Sequence, residues 1–367
     1  MKKLHDGYIL VLSVVIMSLL IIISTQIYYL SFNFSSYSHF ALKREKAKML
    51  ALSGVQLVRE RFYFPPQEEN KEKVQQTAKT EVKEKSEESK EKKQEEKKPS
   101  KPEPKKSDKE LGALLARALP ILNRWQSTKL TIEKDGVEGE IKTYVACEDG
   151  KIHLNNLLSL MAQKGLSEER VNMFKALWQK IGELVKANKN LYESALEFFD
   201  RRNRIWLNDI SEILDAPGFQ VFNDKLFVFL TNGNKDGVYL MDLFTPQSRY
   251  AKLDPWVLSA SVQKLLGLKS KKMDEGAVAA IVKDFQSSHN WRNDWNKLLK
   301  PIYGKDFEGL PKGIDLMLSV RFDPAAFSVV SYGVVDGVKQ GVFTILVKQL
   351  QPDGSVLFIP IKTYWIN

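Results

Sequence analysis

From Tyr8 to Leu42 the chain carries no Asp, Glu, Lys or Arg, and most of 8–30 is aliphatic. A bilayer core needs roughly 20 apolar residues at 1.5 Å rise, so this run predicts a membrane-spanning helix over 8–30. A secretory h-region is shorter, about 7–15 residues, and closes at a small-x-small cleavage site. Here the run continues into Tyr28, Tyr29, Phe32 and Phe34, which suit an interfacial aromatic belt. Lys2 and Lys3 precede the span and no acid follows it closely. The bias of basic residues therefore predicts a single pass with a cytoplasmic N-terminus.

No helix breaker separates this run from the more polar residues after Leu42. Leu42, Ala47, Leu50, Ala51, Val55 and Val58 recur at helical spacing, with Lys43, Arg44, Lys46, Lys48, Arg59 and Arg61 mostly opposite. Pro65 and Pro66 stop the pattern. The expectation is one N-terminal element over 8–65, a helix from Tyr8 to Tyr63 roughly 80 Å long. Its first half would sit in lipid and its second half would pack on a domain.

Residues 67–110 hold 14 Lys and 13 Asp or Glu, with only Ala78, Val74 and Val82 apolar. Such a segment cannot bury enough surface to offset its ordering entropy, so 66–110 reads as a disordered spacer. Before Pro99, i,i+4 Glu–Lys pairs would equally support a solvated helix. The formal charge of +10 is not concentrated there, because the spacer nearly cancels itself. The densest remaining clusters, "KREKAK" and "KSKKMDE", carry no interleaved aromatics, so no nucleic-acid partner is expected. The single cysteine, Cys147, excludes an internal disulfide and a cysteine metal cluster.

After the spacer, "LGALLARALPILNRW" reads as an amphipathic helix. "KLTIE" and "EIKTYVAC" alternate as strands joined at Asp135-Gly136, and Asp149-Gly150 makes a second turn. "KIHL" then leads to Asn155-Asn156, a helix cap ahead of "LLSLMAQKG". From Leu157 to Leu299 the period is mostly 3.6. In "WLNDISEILDAPGFQ", Asn208 or Asp209 caps a helix ending at Pro217-Gly218. This reads as a structural hairpin, or as half of a helix-hairpin-helix that holds DNA phosphate; no basic second helix comes after it, which favours the structural reading. "DGVYLMDLF" echoes "DGKIHLNNLL" with one gap, as an eroded copy or by chance. Three or four C-terminal strands, with turns at Asp336-Gly337 and Pro352-Asp353-Gly354, complete the chain. The fold class is α+β: a long helix, a small antiparallel sheet from strands at both ends (111–153 and 311–367), and a helical domain inserted over 154–310.

No catalytic constellation stands out, and no enzyme is expected. His5, His39, His153 and His289 are scattered, and neither a Gly-x-Ser-x-Gly nor a Walker-type loop occurs. "LTNGNKDGVYL" is turn-rich but lacks the acid spacing of an EF-hand.

A short basic leader ending in Gly7, followed by a half-lipid, half-globular helix, resembles the type IV pilin class. The resemblance implies a leader over 1–7, a prepilin peptidase cut after Gly7, and Tyr8 as the mature N-terminus. The class usually has a glutamate at the fifth mature position, where this chain has Leu12. The minor pseudopilin K family of type II secretion typically lacks it. Asp6 and Tyr8 depart from the usual basic and Phe or Met choices. "EDGKIHLNNLL" after "DGVEGEI" resembles that family's approach to its inserted helical domain, with Asp149, Gly150, Leu154 and Asn155 matching and His153 replacing an asparagine.

What the resemblance implies is a pilin-like fold and a structural role at the tip of a pseudopilus. It further implies a bacterial inner-membrane anchor, a periplasmic C-terminal domain, other minor pseudopilins as partners, and no homo-polymer. The family's helical domain binds calcium through acidic residues, and Glu197 and Asp200 are the positions that align. Arg201, Arg202 and Arg204 beside them argue for a surface salt-bridge patch instead. Two other roles stay open on the residues alone: a minor pilin of a type IV pilus or DNA-uptake filament, and an unprocessed, signal-anchored periplasmic adaptor.

Overall fold

The computed structural model describes residues 3–65, 106–163, 165–229, 237–246, 252–269, 275–283, 285–312 and 314–366. Helix α1, Lys3–Phe62, runs unbroken for 60 residues. At 1.5 Å per residue that is about 90 Å. The charged spacer of 66–110 lies outside the described residues, apart from 106–110. Those five residues open helix α2, Lys106–Ala118. The "KSKKMDE" cluster and the loop 230–236 also fall largely outside the description.

One antiparallel sheet has the order β1-β2-β5-β6-β7, from Trp125–Leu130, Gly139–Cys147, Ala326–Val335, Val338–Leu350 and Val356–Ile366. A two-stranded parallel ladder pairs β3, Ile152–His153, with β4, Phe244–Thr245. The expected α+β architecture is present, with the sheet assembled from both ends of the chain. Between β2 and β5 lie helices α3, Leu154–Met161; α4, Glu168–Val185; α5, Leu191–Arg201; α6, Ala260–Leu266; α7, Glu275–Lys283; and α8, Trp291–Leu298.

Period-two alternation gives the sheet two different faces. On one face of β5, Gly333 and Ser331 lie under α1. A Cβ at Gly333 would sit 2.0 Å from the Ala47 carbonyl oxygen, and one at Gly54 would sit 2.1 Å from Ser331 Oγ. Small residues on both partners thus let helix and sheet approach closely. Phe62 closes the seam by stacking on Phe327 at 4.4 Å. The opposite face of β5 presents Ser328, whose hydroxyl accepts from Lys151 at 2.7 Å. The sheet is the middle layer between α1 and the helical insert.

Several local expectations need correction. The strand expected over "KLTIE" ends at Leu130, and Ile132–Asp135 forms one helical turn. Asp135 draws the chain round by accepting from Thr131 N–H at 2.9 Å, and Gly136 takes the left-handed φ of 68°. The cap of α3 is His153, whose Nδ1 accepts from Asn156 N–H at 3.2 Å, and not the Asn155-Asn156 pair. Asp209 does cap the segment Ile210–Asp215, with Glu212 completing a capping box, although the segment is a 3-10 helix.

Candidate functional site: a buried junction and a two-faced helix

The stretch "EDGKIHLNN" leaves β2 and enters the insert, and every residue from Glu148 to Asn155 is buried. Gly150 is required by contact rather than by backbone angle. A Cβ there would meet the Val257 carbonyl oxygen at 1.8 Å. That close approach lets Asp149 O accept from Asp254 N–H at 2.7 Å and Gly150 O accept from Ser259 N–H at 3.1 Å. The turn is stitched by its backbone to the loop before α6.

Lys151 is only 2 % exposed, so its ammonium must be paired inside. It forms a salt bridge with Glu148 and donates to Met241 O and Ser328 Oγ, each at 2.7 Å. The second oxygen of Glu148 accepts from the Thr245 hydroxyl. One lysine therefore joins the β2 turn, the sheet and the β4 segment. Nearby, Asp242 accepts from Tyr144 Oη at 3.3 Å and from Ser261 N–H at 2.7 Å. Burial pushes the Asp242 carboxyl up, opposed by Lys151 and by the Ser261 and Tyr144 donors. Asp149 accepts from Ala325 N–H at 2.8 Å and so pins the start of β5. Asp254 is pushed well up by burial, partly relieved by Trp256 N–H, with Asp149 and Asp323 adding like charge. Cys147 is buried, and burial together with Asp149 raises its thiol, which makes it a poor nucleophile.

The structure thus brings the sequence-selected residues Asp149, Gly150, Leu154 and Asn155 together at one junction. Leu154 is fully buried in the core. Asn155 pairs both ways with the Leu207 backbone, donating from Nδ2 at 2.9 Å and accepting at Oδ1 at 2.8 Å. Sequence reasoning missed Glu148, Lys151, Asp242, Thr245 and Asp254. Lys151 was the readable signal, a charge set between a turn and an apolar run. The arrangement holds the layers together.

Glu197 and Asp200 are not gathered into a donor set. Each pairs with an arginine four residues on, Arg201 at the end of α5 at 3.7 Å and Arg204 just beyond it at 2.9 Å. Among the described residues no group of three or more His, Cys, Asp or Glu is placed to hold a metal ion.

Gly7 and Tyr8 lie within the backbone of α1. Leu12 lies on the uncovered part of the helix, 47 % exposed. One helix among the described residues is long and apolar enough to cross a membrane, with a mean hydropathy of 2.5 over its best window and none of that window buried. Its hydroxyls fold back on its own carbonyls, Ser13 to Leu10, Ser18 to Val14 and Thr25 to Ile21. That satisfies them without water.

The apolar stripe expected over 42–58 is buried apart from Leu42, and a second exposed set of apolar residues lies opposite it. Ala47, Leu50, Ala51, Val55 and Val58 are buried under the chain's own sheet. Leu42, Met49, Leu52 and Leu57 form a second stripe on the far side, between 46 % and 69 % exposed.

No family profile matches the chain, and no curated protein matches it. Among solved structures, a crystal structure of the GspK-GspI-GspJ complex from the enterotoxigenic Escherichia coli type 2 secretion system is similar with a TM-score of 0.34 at 14 % identity. That similarity covers 70 % of this chain and 93 % of the other.

Proposed function

We propose that the chain is a membrane-anchored structural subunit of a pilin-like filament, and within that class a minor pseudopilin at the tip of a type II secretion pseudopilus. The observation that carries this is α1: one unbroken helix, uncovered and apolar in its first part, and clamped on a sheet in its second. A plain anchor needs no such continuity, because a flexible linker would tether a domain equally well. The helix also keeps a second apolar stripe free for a neighbouring helix. The insert on the opposite side of the sheet adds bulk that would obstruct further stacking, which suits an end position and a single copy.

In this reading prepilin peptidase removes residues 1–7 and the mature chain starts at Tyr8, in the inner membrane, with the folded layers in the periplasm. No carboxylate lies between Tyr8 and Leu42 to meet a neighbour's amino terminus. A buried carboxylate in a membrane helix is costly and is kept only for a partner charge. Leu12→Glu should therefore disturb initiation rather than improve assembly. The deciding measurement is intact-mass spectrometry of the membrane-extracted chain, alone and as Gly7→Val. A mature start at Tyr8, abolished by Gly7→Val together with secretion, is expected. A chain that keeps Met1 and full secretion would make this an unprocessed anchor.

A further inference from the structure

Between α4, α6 and residues 305–312 and 314–317 the insert carries an open cleft of about 790 Å³. Its floor is apolar, including Met173, Leu177, Leu266 and Met317, and Leu316 on its edge is 47 % exposed. The acidic side chains along it are confined to one end. Glu168 and Glu169, with Arg170 beside them, line the end at the start of α4. Lys180, twelve positions further along α4, and Lys305 and Lys312 also line the cleft. Twelve residues of helix span about 18 Å. Burial and the nearby Lys180 charge lower the Lys305 ammonium, and its Nζ donates to Leu266 O at 2.9 Å. Among the described residues none of these three lysines has a carboxylate in ion-pair contact, although the surface elsewhere is laced with ion pairs.

We propose that this cleft docks an amphipathic helix of a partner protein, two to three turns long, apolar on the buried face and acidic toward its C-terminal end. Helix-in-groove docking suits an apolar trough of this length. The positive N-terminal end of such a helix would face Glu168 and Glu169, and its carboxylates would meet Lys180, Lys305 and Lys312. A fatty acid fits less well. Its carboxylate could reach the lysines, but its tail would lie against Glu168 and Glu169 and strip them of water. The proposal stands apart from the filament reading, because it uses a face of the insert that α1 does not touch.

The test uses the full chain in detergent and three probes: a fluorescein-labelled 14-residue Leu/Ala/Glu amphipathic peptide, its Leu/Ala/Lys counterpart, and laurate. The acidic peptide should bind, and the basic one at least tenfold more weakly. Lys312→Glu and Leu316→Gln, both at exposed positions, should each weaken the acidic peptide about tenfold, while Lys129→Glu on β1 leaves it unchanged. Thermal melts confirm that each variant is folded. No saturable binding at 100 µM, equal binding of both peptides, insensitivity to both cleft substitutions, or competition by submicellar laurate at the same site would each overturn the proposal.

Discussion

At the residue scale the most informative side chain is Lys151, because burying an ammonium is tolerable only with every donor used. Removing one member of such a buried pair leaves the other uncompensated. Lys151→Met should cost about 3–5 kcal/mol, and most of that loss should return when Glu148→Leu is added. Guanidinium unfolding followed by tryptophan fluorescence reads both, and equal losses in the single and double variants would refute the pairing argument. Asp254 offers a pH test. Its folded carboxyl is raised by burial, so the folded state binds its proton more tightly than the unfolded chain does. The strain it imposes is therefore present above the folded pKa and relieved as pH falls through it toward the unfolded value near ~3.9. Asp254→Asn keeps the Oδ1 acceptor for Trp256 N–H, 3.0 Å away, and removes the charge. Its melting temperature should exceed that of the parent at neutral pH, with the gap closing toward pH 4. A gap that widens on acidification would reverse the assignment.

At the scale of elements, α1 and β5 meet through small residues, and their closeness is the weak point of the layer. Gly333→Val places a side chain against Ala47 O, where only a hydrogen now fits. Overpacking of this kind typically costs about 1–3 kcal/mol. The sheet-bound half of α1 should lift, so amide hydrogen exchange over 47–62 should quicken while that over 10–30 in detergent stays slow. Uniform exchange along the whole helix would show that the seam does not hold it. The β7 edge, by contrast, is guarded. Phe64 pairs with Val356, Arg59 donates to Phe358 O at 2.9 Å, Pro360 lacks an N–H, and the register shifts between Ile345 and Leu346. Lys362 and Tyr364 are then drawn toward Asp209 of the insert. Such features block edge-to-edge pairing at β7.

At the scale of the whole molecule, the proposed filament role predicts assembly through the stripe of α1 that the sheet leaves uncovered. Cysteines placed at Met49 or Leu52 should give hetero-crosslinks to other minor pseudopilins in membranes, whereas one at Ala51, 0 % exposed, should give none. The native Cys147 is buried and provides a silent background. A ladder of self-crosslinked multimers from Met49→Cys would sink the tip position and point to a shaft subunit.

The sequence alone determined the long helix, its uncharged apolar half and the strands on both sides of the insert, because periodicity and charge exclusion are local properties. It also selected Asp149, Gly150 and Asn155 as a unit. It could not say what they do, since Gly150 is demanded by a carbonyl of Val257, more than a hundred positions away. The cap at His153 rather than Asn155 was equally hidden: Asn155 is taken by Leu207, and only the tertiary fold brings that backbone within reach. The stripe on α1 shows where legibility ended. Helical spacing picked out Ala47, Leu50, Ala51, Val55 and Val58, all buried, and erred only at Leu42, which is exposed. The sequence did not show that Met49, Leu52 and Leu57 would line the uncovered face or that Gly54 would be pressed against Ser331, because close approach depends on the shape of the opposing surface.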